Sequence, residues 1–256
     1  MRLRKLIINL KNFFSVYFLP LIAFVILLII WQILCNIGIF ETWLLPSPGM
    51  IIKELYYSKV FLIEHTFTTA LEVLLGLSLA IIFGTTIGFL MSSYKFFERS
   101  ILPYVIASQV IPIFALAPIL IVWFGAGLIS KIIVVFLISF FPIVIGVFDG
   151  LKTNSIDMEN MLRTMGANNI QIFKILKIKL ALPSFFSGIK VASVSSVIGA
   201  VVAEWIGSKS GLGWIMKVSG PLFQTERVFA SIVILSIFAS ILFLGVKFLE
   251  NKLVKG

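Results

Sequence analysis

The sequence predicts an all-α integral membrane fold with about six transmembrane helices, on three observations. The 256-residue chain is 60% hydrophobic and only 12% charged, with a mean hydropathy of +1.12. Soluble chains are nearer half apolar and about a quarter charged, so these few charges could not cover the apolar surface in water. Second, six apolar runs approach the roughly 20 residues a span needs when every backbone group must be bonded within the segment. Third, Lys and Arg divide unequally between the two sets of connecting loops.

The first run is Tyr17–Cys35, preceded by Arg2, Arg4, Lys5 and Lys11. A basic start before an apolar stretch also describes a signal peptide. Here the stretch from Val16 to Cys35 exceeds the roughly 7–15 residues of a signal core, and no small-residue cleavage site follows. Leu34 occupies the position where a lipoprotein signal carries a small residue, so a retained span is expected. Pro46–Ser47–Pro48 then makes a rigid turn, and Met50 to Ile63 reads as a short helix at the outer surface.

Thr68–Met91, Ile101–Phe124 and Ser130–Phe148 are read as the second, third and fourth spans. The segment from Lys152 to Phe186 is too polar for lipid. Its periodicity around Met158–Met165 and Ile170–Leu176 predicts two short helices, separated at Gly166–Ala167–Asn168–Asn169. A structured loop on a chain with so little soluble mass calls for a protein partner. Gly188–Ile206 and Val228–Leu249 complete the set, and residues 1–256 read as a single transmembrane domain.

Fifteen of the 21 Lys and Arg residues fall on one side, Lys131 being counted with the six on the other. The positive-inside rule places both termini in the cytoplasm. Trp31, Trp43, Trp123, Trp205 and Trp214 fall at or beyond span ends on the opposite side, as interfacial indoles do. The net charge of +10 is thereby explained by orientation in lipid, and no nucleic-acid partner is expected. Cys35 alone cannot form an intrachain disulfide, and His65 alone cannot build a histidine metal site, so it reads as a helix-end residue. The sequence has no phosphate loop, no H-E-x-x-H and no G-x-S-x-G, so neither an enzyme nor a bound cofactor or metal is expected.

Charged and polar groups inside apolar runs are the remaining candidates, because they are costly in lipid and tend to face a bundle interior or a cavity. Glu204 beside Trp205 reads either as part of a translocation path or outer gate, or as an interfacial carboxylate paired with a cation such as Lys209. Asp149 reads as a helix-end or coupling-loop contact ahead of a substrate contact, and Glu72 as a structural pair or an interfacial group. Ser108, Gln109, Ser193, Ser195 and Ser196 could line a path for a polar solute or bond to their own or neighbouring helices. Ala80, Gly84 and Gly88 put small residues on one face of the second span, for packing inside the chain or against another copy.

Several of these stretches resemble the permease subunits of binding-protein-dependent ABC importers, in the branch that includes sulfonate, taurine, nitrate and thiamine-precursor transporters. Leu45–Pro46–Ser47–Pro48, His65–Thr66 through Leu71–Gly76, and Ile111–Pro112 with Ala115–Pro118 and Trp123–Phe124–Gly125 are similar to that family's pattern. Asp157–Met158–Glu159 through Arg163–Thr164–Met165–Gly166–Ala167, with Leu182–Pro183, is similar to its EAA loop. Counting back from Gly166, the triplet positions hold Asn160, Met161 and Leu162, with Glu159 one residue early and Lys179 at a usual proline. Ser108–Gln109, Phe148–Leu151, Leu182–Gly188 and Ala200–Gly207 look closest to the thiamine-precursor (hydroxymethylpyrimidine-type) permeases.

The resemblance implies a type I ABC importer permease fold in a bacterial inner membrane, working as a homodimer. It implies two cytoplasmic ABC ATPase subunits docked on the loop through Asp157, Glu159, Asn160, Arg163, Gly166 and Ala167, and an extracytoplasmic solute-binding protein. It implies a path on which Ser108, Gln109, Ser195 and Glu204 are the candidates here. The cargo would be a thiamine pyrimidine precursor or, in the same architecture, aliphatic sulfonate, taurine or nitrate. An intramembrane enzyme would show a nucleophile or metal cluster and a scaffold no structured loop, and neither fits; an ion-gradient-driven transporter, which would show inverted repeats, stays as the distant alternative.

Overall fold

Helices account for nearly the whole of the computed structural model, which describes residues 18–153 and 156–254 and contains no strand among them. In chain order they are α1 (Leu19–Asn36), α2 (Pro48–Tyr57), α3 (Lys59–Ser93), α4 (Lys95–Val110), α5 (Ile113–Phe124), α6 (Leu128–Lys152), α7 (Ile156–Thr164), α8 (Asn169–Ile172), α9 (Ile178–Gly207), α10 (Leu212–Ser219) and α11 (Thr225–Val254). A π-helical turn, Phe173–Lys177, joins α8 to α9, so Asn169–Gly207 is one continuous helical run of 39 residues. Among the described residues five helical runs are long and apolar enough to cross a bilayer: α1, α3, α6, Asn169–Gly207 and α11. The pair α4–α5 makes a sixth if counted as one broken span.

Four sequence expectations change. The third span is not one helix: α4 and α5 meet at a 102° bend. Ile111 takes an extended ψ of 119° before Pro112, because the proline ring disfavours helical geometry in the residue ahead of it and the proline has no N–H to continue the ladder. The outer surface helix stops at Tyr57 rather than Ile63, and the second span begins at Lys59. The second half of the polar loop is not a separate helix but the start of the run that becomes the fifth span. Lys131 is not a loop cation: it lies within α6 and is buried. Tyr17, Arg2, Arg4, Lys5, Lys11 and Lys255 fall outside the described residues.

The chain packs as two compact units. One comprises the described residues up to Lys59 with Val218–Ala230. No residue of α1 is buried. Ser47 caps α2 by accepting a hydrogen bond from the Met50 N–H at 3.3 Å, with Pro48 at the first helical position, where a missing N–H costs nothing. Arg227, at the start of α11, donates to Glu54 of α2 at 2.8 Å. Burial pushes the Glu54 carboxyl up, but the Arg227 and Ser58 hydrogen bonds and the Arg227 charge outweigh it and hold it below the usual carboxylate range.

The other unit comprises Val60–Lys217 with the described residues from Ser231 onward, and α6 is its axis. Leu77 and Ala80 of α3, Ile143 and Val147 of α6, and Ile189 and Ala192 of α9 form one core cluster. Met91, Val105, Val144 and Phe148 join α3 and α4 to α6, while Ala117, Leu120, Val134 and Ala203 join α5 and α9 to it. The small face of α3 is used inside the chain: a Cβ on Gly84 would sit 3.0 Å from Ile143, and one on Gly88 only 2.8 Å from the Val144 carbonyl oxygen. The tightest seam is α6–α9, where a Cβ on Gly188 would collide with the carbonyl oxygen of Pro142. Dispersion contacts and small-residue approach hold helices together where lipid is as apolar as leucine.

Candidate coupling segment and buried polar cluster

The polar loop is ordered by its own hydrogen bonds. Helix α7 ends in a Schellman turn: the Gly166 N–H bonds to the Arg163 carbonyl at 3.0 Å and the Ala167 N–H to the Leu162 carbonyl at 3.0 Å. Gly166 has φ +85°, the left-handed conformation that this cap requires and that a Cβ makes costly. Asn168 starts the next helix with a capping box, accepting from the Gln171 N–H at 2.9 Å while Gln171 Oε1 accepts from the Asn168 N–H at 2.8 Å. The break predicted at Gly166–Asn169 is therefore a defined corner.

Of the candidate loop residues, Asp157, Asn160, Arg163 and Gly166 are exposed, and Glu159 and Ala167 are half-buried. Arg163 donates to Glu159 at 2.9 Å, and Lys177 lies 3.6 Å from the same carboxylate. The Arg163 hydrogen bond, helped by the Lys177 charge, holds Glu159 below its ordinary value. Beside them Met158, Met161 and Met165 stand exposed, with Met165 at 73%. This apolar, deformable face on a charged corner is what a protein partner can cover.

The opposite end of the 39-residue run carries a buried polar cluster. Glu204 is fully buried, and its oxygens accept from Thr69 Oγ1 at 2.7 Å and from the Gly213 N–H at 2.6 Å. Thr69 Oγ1 accepts from the Leu212 N–H at 2.9 Å, and His65 Nδ1 from the Gly211 N–H at 2.8 Å. Three consecutive N–H groups opening α10 are thus satisfied by side chains of α3 and α9. Gly211, at φ +105°, leaves the space the Glu204 carboxylate fills. The His65 imidazole stacks on Trp214, with ring centroids 5.2 Å apart.

One helical turn along α3 from Thr69, Glu72 pairs with Lys131 at 2.6 Å, both buried. The expectation that Glu72 pairs structurally matches this contact. Glu204 meets Thr69 and a backbone N–H rather than Lys209. His65, Thr69 and Glu72 at positions i, i+4 and i+7 were the signal for this polar face, and a reading of His65 as an ordinary helix end passed over it.

The structure does not gather the other path candidates. Ser108 and Gln109 are exposed near the end of α4, and Ser108 donates to its own Val105 carbonyl at 2.7 Å. Ser195 is half-buried on α9; its neighbours Ser193 and Ser196 bond back to Lys190 and Ser193 carbonyls. No hydrogen bond joins Ser108, Gln109, Ser195 and Glu204 to one another among the described residues. Nor do these residues contain a cluster of three or more His, Cys, Asp or Glu able to hold a metal ion.

Residues 76–255 match the family model described as "binding-protein-dependent transport system inner membrane component". The formylaminopyrimidine transport permease protein of Halalkalibacterium halodurans is 38% identical over 92% of this chain and 94% of its own. The riboflavin transport system permease protein of Chloroflexus aurantiacus is 31% identical over 91% and 88%. The taurine transport system permease protein of Escherichia coli is 25% identical over 89% and 86%.

Proposed function

Because the chain belongs to the family of binding-protein-dependent transport system inner membrane components, a multi-pass membrane permease of ABC importers, we propose that it moves a small thiamine pyrimidine precursor inward. It does so as a homodimer, powered by two separate cytoplasmic ATPase subunits docked on the α7–α8 corner. The observation that carries the coupling role is the Gly166 turn, with charged Glu159 and Arg163 and exposed Met158 and Met161 on one short helix and Met165 just past its end. A compact corner fixed by capping bonds transmits a rigid-body push, and α9 continues that push without an intervening loop. Asp157, Asn160 and Ala167 flank the docking face.

The direction of the chain in the membrane rests on the uneven Lys and Arg distribution, which favours both termini in the cytoplasm. The other end, around Glu204, then meets the solute-binding protein's side, where the cluster holding α10 serves as an outer gate. Ser108, Gln109 and Ser195 remain path candidates for the state in which the helices separate. The pyrimidine assignment is supported by the 38% identical relative named for formylaminopyrimidine transport. A second reading takes sulfonate, taurine or nitrate as cargo, and the more distant relative named for taurine transport favours taurine among them.

The test is reconstitution of this chain with its ATPase and binding protein in proteoliposomes, alongside the Gly166→Pro variant. Proline removes the N–H that closes the turn and cannot adopt φ +85°. ATP-dependent pyrimidine uptake that the variant loses supports permease, coupling corner and cargo together. Sulfonate uptake would move the cargo and keep the mechanism. A variant that transports normally would remove the corner from coupling.

A further inference from the structure

The polar loop and the Glu204 cluster leave the carboxylate of Asp149, three residues before the end of α6, without a role. It is exposed, and no ion pair or hydrogen bond reaches its side chain among the described residues. Lys152, three residues along α6, is engaged with Glu98, and Lys190 on α9 with Glu250. Asp149 is therefore an uncompensated negative charge on a spanning helix. Such a group is costly against lipid and faces water or a protein-lined space.

It lines a cleft of about 310 Å³ between α6 and α9, with Phe141, Gly146, Ser184, Ser187 and Gly188. That volume is at the lower end of small-molecule sites, which run from about 300 to 1,000 Å³. The floor is backbone, since a Cβ on Gly146 would come within 2.7 Å of the Ser184 carbonyl oxygen. Some span serines are bonded to their own helix, and others, Ser78 and Ser195 among them, have no side-chain partner among the described residues. Ser193, Ser196, Ser236 and Ser240 all donate to a carbonyl one turn back. Neither Ser184 nor Ser187 has a side-chain hydrogen-bond partner among the described residues. One carboxylate, two hydroxyls with no side-chain partner among the described residues and one aromatic ring thus line a small open space.

We propose that this Asp149–Ser184–Ser187 cleft is a contact site for the transported solute, selecting a small heteroaromatic molecule that carries amino N–H donors. The carboxylate accepts from the exocyclic amine in a charge-assisted bond, the hydroxyls serve ring nitrogens or a hydroxymethyl group, and Phe141 offers a ring to stack against. The same charge repels sulfonate and nitrate. The site rests on the importer reading above and deepens it, because it gives the chain itself a part in choosing among the cargoes.

The experiment uses the complete transporter in proteoliposomes, with radiolabelled hydroxymethyl-aminopyrimidine and ethanesulfonate as alternative probes. Asp149→Asn is expected to lower aminopyrimidine uptake about tenfold, the loss of one charged hydrogen bond, while ATP hydrolysis stimulated by the loaded binding protein stays within about twofold. Asp149→Glu restores most of the uptake. Separately, Ser187→Cys in a Cys35→Ser background should react with a membrane-impermeant maleimide from one side of the bilayer and be protected by the aminopyrimidine.

Unchanged uptake in Asp149→Asn would overturn the site, as would an introduced thiol in the Ser187→Cys variant that never reacts because it faces lipid. A parallel fall in uptake and ATP hydrolysis would make Asp149 a coupling residue and also overturn it. A wild-type transporter that moves ethanesulfonate and no aminopyrimidine would instead overturn the cargo reading, and the selectivity of the cleft with it.

Discussion

Glu72 and Lys131, 59 positions apart, meet in a 2.6 Å ion pair with both side chains buried where α3 passes α6. A charge taken out of water needs its partner: removing one member of a buried pair strands the other, whereas replacing both with apolar groups can be close to neutral. Lys131→Met alone should therefore cost roughly 3–5 kcal/mol, and adding Glu72→Met should recover most of that. Thermal unfolding of the parent, both single variants and the double variant in detergent, followed by tryptophan fluorescence, gives the comparison. A single variant as stable as the parent would show that the pair contributes nothing.

The cap on α10 makes a more local prediction. Thr69→Val removes the oxygen that serves both the Leu212 N–H and Glu204, leaving buried polar groups unsatisfied at about 1–3 kcal/mol. Amide hydrogen exchange at Gly211–Gly213 should accelerate, while amides in the middle of α6 keep their protection. Equal acceleration throughout would mean that Thr69 supports the whole unit and not the α9–α10 turn.

Two glycines should respond in opposite ways to the same substitution. At Gly188 an added methyl meets the Pro142 carbonyl, so Gly188→Ala must part α6 from α9 and should destabilise the bundle by about 1–3 kcal/mol or more. At Gly166 nothing lies within 4 Å of an added Cβ. Gly166→Ala instead strains the left-handed turn by roughly 1–2 kcal/mol, slowing uptake with little change in bundle melting. The comparison of melting temperature with transport rate separates packing from coupling, and a reversed pattern would contradict both assignments.

The Glu54–Arg227 contact predicts a pH dependence. Glu54 is held below its ordinary value in the folded chain, so its contribution is present above the unfolded carboxylate pKa and is lost as pH falls through the lower folded value. Melting temperature should therefore drop as pH is taken from about 5 towards 3, and Glu54→Gln should flatten part of that slope. A slope identical in the variant would exclude Glu54 as a source.

Much of the fold could be read before any coordinates, because hydropathy over 20-residue windows reports burial in lipid directly. The α4–α5 bend could not. Ile111–Pro112 sits inside an unbroken apolar run, and hydropathy carries no information on whether the chain turns at a proline or kinks through it. The same limit applied at the polar loop, where helical periodicity located both pieces but could not tell that the second runs on into the fifth span. Of the site, Glu72 and Glu204 stood out as charges in apolar sequence. Their partners did not, since Thr69 and Glu204 are 135 positions apart and only the packing of three helices brings them together.

The run from Asn169 to Gly207 has its first residues in the capped corner and its Glu204 in the cluster that holds α10. At 1.5 Å per residue its 39 residues extend nearly 60 Å when straight. Two distant events can then be linked by the stiffness of a single rod, with the π-helical turn at Phe173–Lys177 as the joint where it can flex. No relay of specific side chains is required between the ends, so the intervening positions are free to change identity as long as they keep the helix and its glycine seam. Variation along the middle of α9 should accordingly alter what passes beside the rod far more readily than whether the ends stay in step.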